Sequence, residues 1–252
     1  MNQSQYLKII KLAKTAVKEH ENWGETEIVT DKLMQTKKIK NTEIDIKQAQ
    51  SVKQTKNAQQ QLEDLKNEVI KCRKCELGKT RLNAVFGSGS AYADIMFVGE
   101  GPGFQEDHEG QPFIGKAGNL LTKIIEAMKY TRQTVYIANI VKCHPMKNPD
   151  NPELRGNDRP PTMQEMQVCQ TYLDEQIKII KPKVIVTLGA SSTRALLQTD
   201  EVISSLRGNF HEYNGIKLMP TYHPAALLRN PNLKKDVWHD MQKVMAFVAK
   251  KG

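Results

Sequence analysis

Lys183-Val184-Ile185-Val186-Thr187-Leu188-Gly189 (KVIVTLG) is a short β-branched run that ends in glycine and shows no alternation of polar with apolar residues. A strand apolar on both sides belongs in a sheet that is covered on both faces. Three further runs read alike: Asp94–Glu100 (DIMFVGE), Thr134–Lys142 (TVYIANIVK) and Ile216–Tyr222 (IKLMPTY). Helical patterns follow at Gly118–Lys129, Thr162–Ile180, Ser191–Gln198 and Leu233–Lys250. Strands alternating with helices predict an α/β fold, a three-layer αβα sandwich around about four mostly parallel strands.

Open α/β sheets bind ligands beyond the carboxyl ends of their strands. The first run ends in Gly99-Glu100-Gly101-Pro102-Gly103, and the second carries Asn139 and then Cys143-His144-Pro145. The third ends in Gly189-Ala190-Ser191 and the fourth in Tyr222-His223-Pro224. The unusual polar residues therefore share one edge of the sheet, which predicts a site there.

Working outward, the 252 residues allow one good-sized domain plus an extension. Residues 1–65 are rich in Lys, Gln, Thr, Asn and Glu, with no Pro and only Gly24. They predict an amphipathic helix over Gln5–His20 and a mobile linker over Met34–Gln61, with a protein partner as the extension's sharper use. The folded domain is expected over 66–252. Lys and Arg total 37 against 28 Asp and Glu, a net charge of +9, which favours an anionic partner and nucleic acid first. No apolar run approaches the roughly 20 residues of a membrane helix, and Met1–Lys18 has no apolar signal core. The expectation is a cytoplasmic, nucleoid-associated monomer.

All four cysteines are candidate ligands: Cys72 and Cys75 as C-x-x-C, Cys143 after the second strand and Cys169 within a helix. In a reducing compartment such a set suits either tetrahedral zinc or a [4Fe–4S] cluster. The glycine-rich turn after the first strand lets backbone N–H groups approach a ligand. It lacks the Lys-Ser/Thr pair of a nucleotide-binding P-loop.

Residues 68–250 resemble the family 4, iron–sulfur branch of the uracil-DNA glycosylases. The resemblance rests on Cys72-x-x-Cys75, GEGPGFQED (99–107), GQPFIGKAG (110–118), NIVKCHP (139–145), Cys169 and YHPAALLRNP (222–231). It implies hydrolytic removal of uracil from DNA and a structural [4Fe–4S] cluster on Cys72, Cys75, Cys143 and Cys169. Base removal requires the nucleotide to be flipped into a pocket. The resemblance then gives Phe113 a stacking role and Asn139 the reading of uracil O4 and N3–H. His223, with the N–H groups of Gly99, Glu100 and Gly101, stabilises charge growing on the base. Glu100 orients water or faces the cationic sugar, with Glu106 and Asp107 as lesser candidates. Leu227 or Leu228 supplies a wedge into the minor groove, and Arg229 meets a phosphate.

Gly103 stands where the best-known branch carries a Tyr that blocks the methyl group of thymine, leaving that task to Phe104 or Glu106. The stretch Met146–Pro161 reads as a solvated loop, with Arg155 and Arg159 as possible DNA contacts. A nucleic-acid-binding module with a structural metal and an electron carrier are the rival readings. Convergence of Glu100, Asn139 and His223 argues for the enzyme, since a pure binder needs no such set.

Overall fold

Side chains on a strand point alternately to the two faces, so a strand covered on both sides needs apolar groups at every position. The computed structural model describes residues 57–250 and meets that requirement. In chain order it contains α1 (57–71), α2 (Leu77–Thr80), β1 (Ser88–Gly89), β2 (Ile95–Gly99), α3 (Phe104–Glu109), α4 (Lys116–Ala127), β3 (Tyr136–Asn139), α5 (Met163–Ile180), β4 (Val184–Leu188), α6 (Ala190–Leu197), α7 (Ile203–Leu206), β5 (His211–Tyr213), β6 (Ile216–Thr221), α8 (Pro224–Arg229) and α9 (Leu233–Lys250). Ile95 and Phe97 of β2 join Ile137, Val186 and Met219 in one core, sealed by Leu121 and Ile125 of α4 and Met241 and Val244 of α9. Met96 and Val98 face the other way, to Tyr136, Ala138 and Ile185, against α1 and α5.

The sheet order is β1-β3-β2-β4-β6-β5. The four expected strands form its parallel centre, and short antiparallel strands β1 and β5 add an edge on each side. Two or three residues with no apolar run announce themselves weakly, so "about four" strands becomes six.

The domain starts earlier than expected. Helix α1 crosses residue 65 and buries Leu62, Leu65 and Val69 in the core behind β2 and β3. Its surroundings are Gln, Asn and Lys, and three apolar residues spaced three and four apart suffice for a one-sided stripe. The expected helix Gln5–His20 and most of the linker Met34–Gln61 lie outside the described residues. No helix among the described residues is long and apolar enough to cross a membrane.

Two local devices set the strand-end loops. Thr162 caps α5 with its hydroxyl on the Glu165 N–H, while the Glu165 carboxylate returns to the Thr162 N–H at 2.7 Å. Asp240 of α9, fully buried, accepts from Arg207 Nε at 3.0 Å and Thr221 Oγ1 at 2.6 Å. It thereby fixes the end of β6, two residues before His223.

Removing that carboxylate leaves the buried Thr221 hydroxyl without its acceptor and leaves the half-buried Arg207 guanidinium to Asp236 alone. Asp240→Ala is expected to lower the unfolding free energy by about 1–3 kcal/mol in urea denaturation, the cost of a buried hydroxyl left unsatisfied. An unchanged midpoint would show that the pair does not hold β6 to α9.

Candidate active site and cysteine cavity

Register brings the carboxyl ends level. Gly99 is the direct neighbour of Asn139 across β2 and β3, and Leu188 that of Thr221 across β4 and β6. A Cβ on Gly99 would stand 2.4 Å from Asn139 Oδ1 and 2.5 Å from Phe113 Cζ. Both side chains thus occupy the space a larger residue would take. The Phe113 ring lies 5.7 Å from the His223 ring, tilted by 34°. With Glu100 and the turn Gly101–Gly103 these residues line a cavity of about 450 Å³, a size suited to a small ligand.

His223 owes its orientation to the helix it starts. It is the N-cap of α8, with Pro224 in the first turn, and its Nδ1 accepts the Ala225 N–H at 3.1 Å. Nδ1 must therefore be bare, and Nε2 carries the proton. Burial pushes the His223 pKa down to about 4, with Arg229 adding to the effect and Glu106 opposing it. The ring is thus a neutral donor at physiological pH.

Glu100 Oε1 and Asn139 Oδ1 are buried without a hydrogen-bond partner among the described residues. Burial raises the Glu100 carboxyl above its ordinary pKa, and a hydrogen bond with the Ser191 hydroxyl works the other way. A buried acceptor left unpaired costs about 1–3 kcal/mol, so this pocket is built to receive donors from a ligand.

Glu106 and Asp107 hold loops. Glu106 Oε1 accepts the N–H groups of Ile114 and Gly115 at 3.1 and 3.2 Å, and Oε2 accepts that of Gly103 at 3.2 Å. Asp107, fully buried, accepts from Leu82 and Asn83 N–H. Of the two residues expected to block a methyl group, Glu106 lines the cavity, while Phe104 stacks on His108 with ring centroids 4.1 Å apart.

The 146–161 loop is more ordered than its composition suggests. Asn157 is 1% exposed and bonds the backbone of Asn148 and Asn151, while Met146 pairs with Asp158 in an antiparallel bridge. Buried His144 joins Asp158 at 2.7 Å, which makes the loop's end a wall of the cavity. Of the expected DNA contacts, Arg159 pairs with Glu165 at 2.7 and 2.8 Å, and Arg155 lies over the Phe104 ring, 5.8 Å from its centroid.

The expected wedge also needs correction. Leu227 is 1% exposed and packs in the core, whereas Leu228 is 48% exposed beside exposed Arg229. Adjacent residues on a short helix face different ways, and the sequence did not tell which faced the core.

Cys72, Cys75, Cys143 and Cys169 line one small cavity with Val69, Lys142 and Tyr172. Two donors are aimed at sulfur: Arg81 Nη1 lies 3.0 Å from Cys143 Sγ, and the Lys142 N–H 3.3 Å from Cys169 Sγ. Burial pushes the Cys143 thiol up to about 12 against the pull of Arg81, and Cys169 is raised likewise against Lys142. No three His, Cys, Asp or Glu residues among those described gather closely enough to hold a single metal ion. The thiols surround a space.

A family model for the Uracil DNA glycosylase superfamily matches residues 86–242. A type-4 uracil-DNA glycosylase of Sulfurisphaera tokodaii is 45% identical over 192 residues, which are 73% of this chain and 83% of that protein. A type-4 uracil-DNA glycosylase of Saccharolobus solfataricus is 43% identical, over 75% of this chain and 88% of its own. One of Thermotoga maritima is 40% identical, over 76% and 96%.

The neutral His223 makes stability depend on pH. Its pKa is about 4 in the folded chain and near 6.5 when unfolded, so the unfolded state takes up a proton first as the medium is acidified. Stability from this group is whole above pH 6.5 and drains away as pH falls towards 4, by up to about 3 kcal/mol. Urea denaturation at pH 7 and pH 4.5 should show this loss in the wild type, and His223→Asn should remove that share of it.

Proposed function

The chain belongs to the uracil DNA glycosylase superfamily, and from that premise we propose that it is a type-4 uracil-DNA glycosylase, flipping uracil out of DNA and hydrolysing its N-glycosidic bond. One observation carries the reading beyond kinship: the buried, unpartnered Oδ1 of Asn139 at the foot of a cavity walled by an aromatic ring. Uracil N3–H is a donor for that oxygen, and uracil O4 an acceptor for the Asn139 amide N–H. Cytosine reverses both positions and leaves two buried mismatches.

In this reading the base stacks on Phe113. As the bond between the base nitrogen and C1′ of the sugar lengthens, negative charge grows on the base and positive charge on the sugar. His223, held neutral by burial, donates from Nε2 to O2, which stabilises the departing anion without an ion's desolvation cost. The N–H groups of Gly99, Glu100 and Gly101 add donors at the strand end. Glu100 faces the cationic sugar and orients the water whose oxygen bonds to C1′, and the proton that water loses ends on the departed uracil anion. Exposed Leu228 serves as the wedge, Arg229 meets a phosphate, and the net charge of +9 favours binding to DNA.

The four cysteines fit a [4Fe–4S] cluster. Four thiols that line one cavity, with N–H donors aimed at two of the sulfurs, support thiolate ligation of such a group. Cys72, Cys75, Cys143 and Cys169 would hold it. When bound, it supplies cross-linking between the segment after α1, the end of β3 and α5, and hydrolysis needs nothing further from it.

A uracil-containing oligonucleotide incubated with the protein and then with alkali should break at the uracil; an intact strand would overturn the activity. Asn139→Asp removes the donor to uracil O4 and sets a carboxylate oxygen against it, so single-turnover uracil excision is expected to slow by at least about 100-fold, a buried mismatch with a charged group costing about 3 kcal/mol or more. Wild-type rates in a folded variant would remove Asn139 as the reader. Metal analysis should find iron with absorbance in the visible region, and zinc alone would rule out the cluster.

A further inference from the structure

Five non-glycine residues among those described have positive φ. Lys129, Lys181 and Gln198 end helices, and Asn214 turns the hairpin between β5 and β6, all places where a left-handed residue closes a cap or turn. Phe113, at φ 54°, has no such excuse. An aromatic residue in that region is strained and stays there only when its surroundings over-determine it.

Arg132 does much of the determining. Its Nη2 donates to Pro112 O at 2.6 Å, and its Nη1 to Phe113 O at 3.0 Å and Thr122 Oγ1 at 3.2 Å. All three acceptors are neutral oxygens, so this partly buried guanidinium serves as a clamp on backbone. Thr122 is itself anchored to Gly118 O at 3.1 Å, and a Cβ on Gly118 would stand 1.8 Å from Phe113 O. Arg132 sits in the tight 131–135 turn that leads into β3, where Thr134 and Val135 N–H both donate to Thr131 O. From the other side, Glu106 takes the N–H groups of Ile114 and Gly115. The strained segment is thus gripped by its carbonyls and by its amides.

We propose that Arg132 is a positioning residue for base recognition, its planar guanidinium fixing the 112–113 backbone so that the Phe113 ring is preset against the flipped base. This rests on the reading of Phe113 as the stacking surface. Lys cannot substitute, because one ammonium on a flexible stem does not span two carbonyls and a hydroxyl as a planar fork does. The interaction is invisible in sequence, since Arg132 lies outside every motif quoted above and acts through the backbone of its neighbours.

The test uses full-length wild type, Arg132→Lys and Arg132→Met, with three readouts. Single-turnover uracil excision should fall about 10–100-fold in both variants, the effect of displacing a bound group by about an ångström. Affinity for product DNA with an abasic site should stay as in the wild type, because that DNA has no base to stack. Amide hydrogen exchange at Ile114 and Gly115 should quicken. In a Phe113→Ala background, Arg132→Lys should change the rate by less than about twofold, as expected when one residue acts through the other. Arg132→Lys keeps the charge and serves if Arg132→Met fails to fold. Wild-type excision in folded Arg132→Lys, an equal loss of affinity for abasic DNA, unchanged exchange, or full additivity with Phe113→Ala would each overturn the proposal. A wild-type protein that leaves uracil in place would instead overturn the function, while exchange would still report whether Arg132 holds the segment.

Discussion

The contact between Gly99, Asn139 and Phe113 is the constraint on which the rest of the pocket depends. Parallel pairing makes Gly99 and Asn139 neighbours, so the strand that ends the glycine-rich turn also supports the polar amide. Any Cβ at position 99 would take the room of the Asn139 oxygen and the tip of the Phe113 ring. Beyond that point the chains stay together, with Ile140 and Val141 N–H donating to Gly99 O and Glu100 O at 3.0 and 3.1 Å. The turn is therefore tethered to β3, and Glu100 is delivered to the same cavity as the amide. Without a Cβ at one residue, a flat ring, an amide and a carboxylate meet.

The electrostatics divide into two regimes. Outside, an excess of nine positive charges acts through water and salt, where screening limits its reach to about 10 Å. That charge suits gathering and holding a polyanion. Inside, burial acts on the groups themselves: it holds His223 neutral and raises the Glu100 carboxyl above its ordinary pKa, against a hydrogen bond with Ser191. Donors already in place in a poorly screened cavity act on charge as it develops and need little reorganisation. The same burial that costs stability at acid pH thus gives the ring its useful form.

The pocket and the cysteine cavity are two sides of one segment. Asn139 ends β3 and Cys143 follows four residues later. Between them Lys142, 1% exposed, sends its ammonium to Asn139 O at 2.7 Å and Gln176 Oε1 at 2.6 Å, while its backbone N–H points at Cys169 Sγ. Gln176 continues to Phe86 O and the Tyr136 hydroxyl. Lys142 thus bonds Asn139 through its ammonium and Cys169 through its backbone, and α5 carries both Cys169 and Gln176.

Sequence by itself determined the parallel centre of the sheet, because strands buried on both faces must be apolar throughout and such runs are legible without context. It also determined the polar edge: Glu100, Asn139 and His223 stand at the carboxyl ends of runs that any such sheet must align, while Phe113 joined them through the family resemblance alone. Tertiary structure alone decided the remainder. Helix α1 escaped notice because three buried residues in a polar stretch become a core only when a sheet lies beneath them. Leu227 and Leu228 are chemically the same, and only the packing of α8 sends one inwards. Glu106 and Arg132 brace backbone whose position is set by residues distant in sequence, and no local pattern records a hydrogen bond to a carbonyl that far away. Pattern reveals what one element needs for itself; what one element does for another is fixed only when the chain is folded.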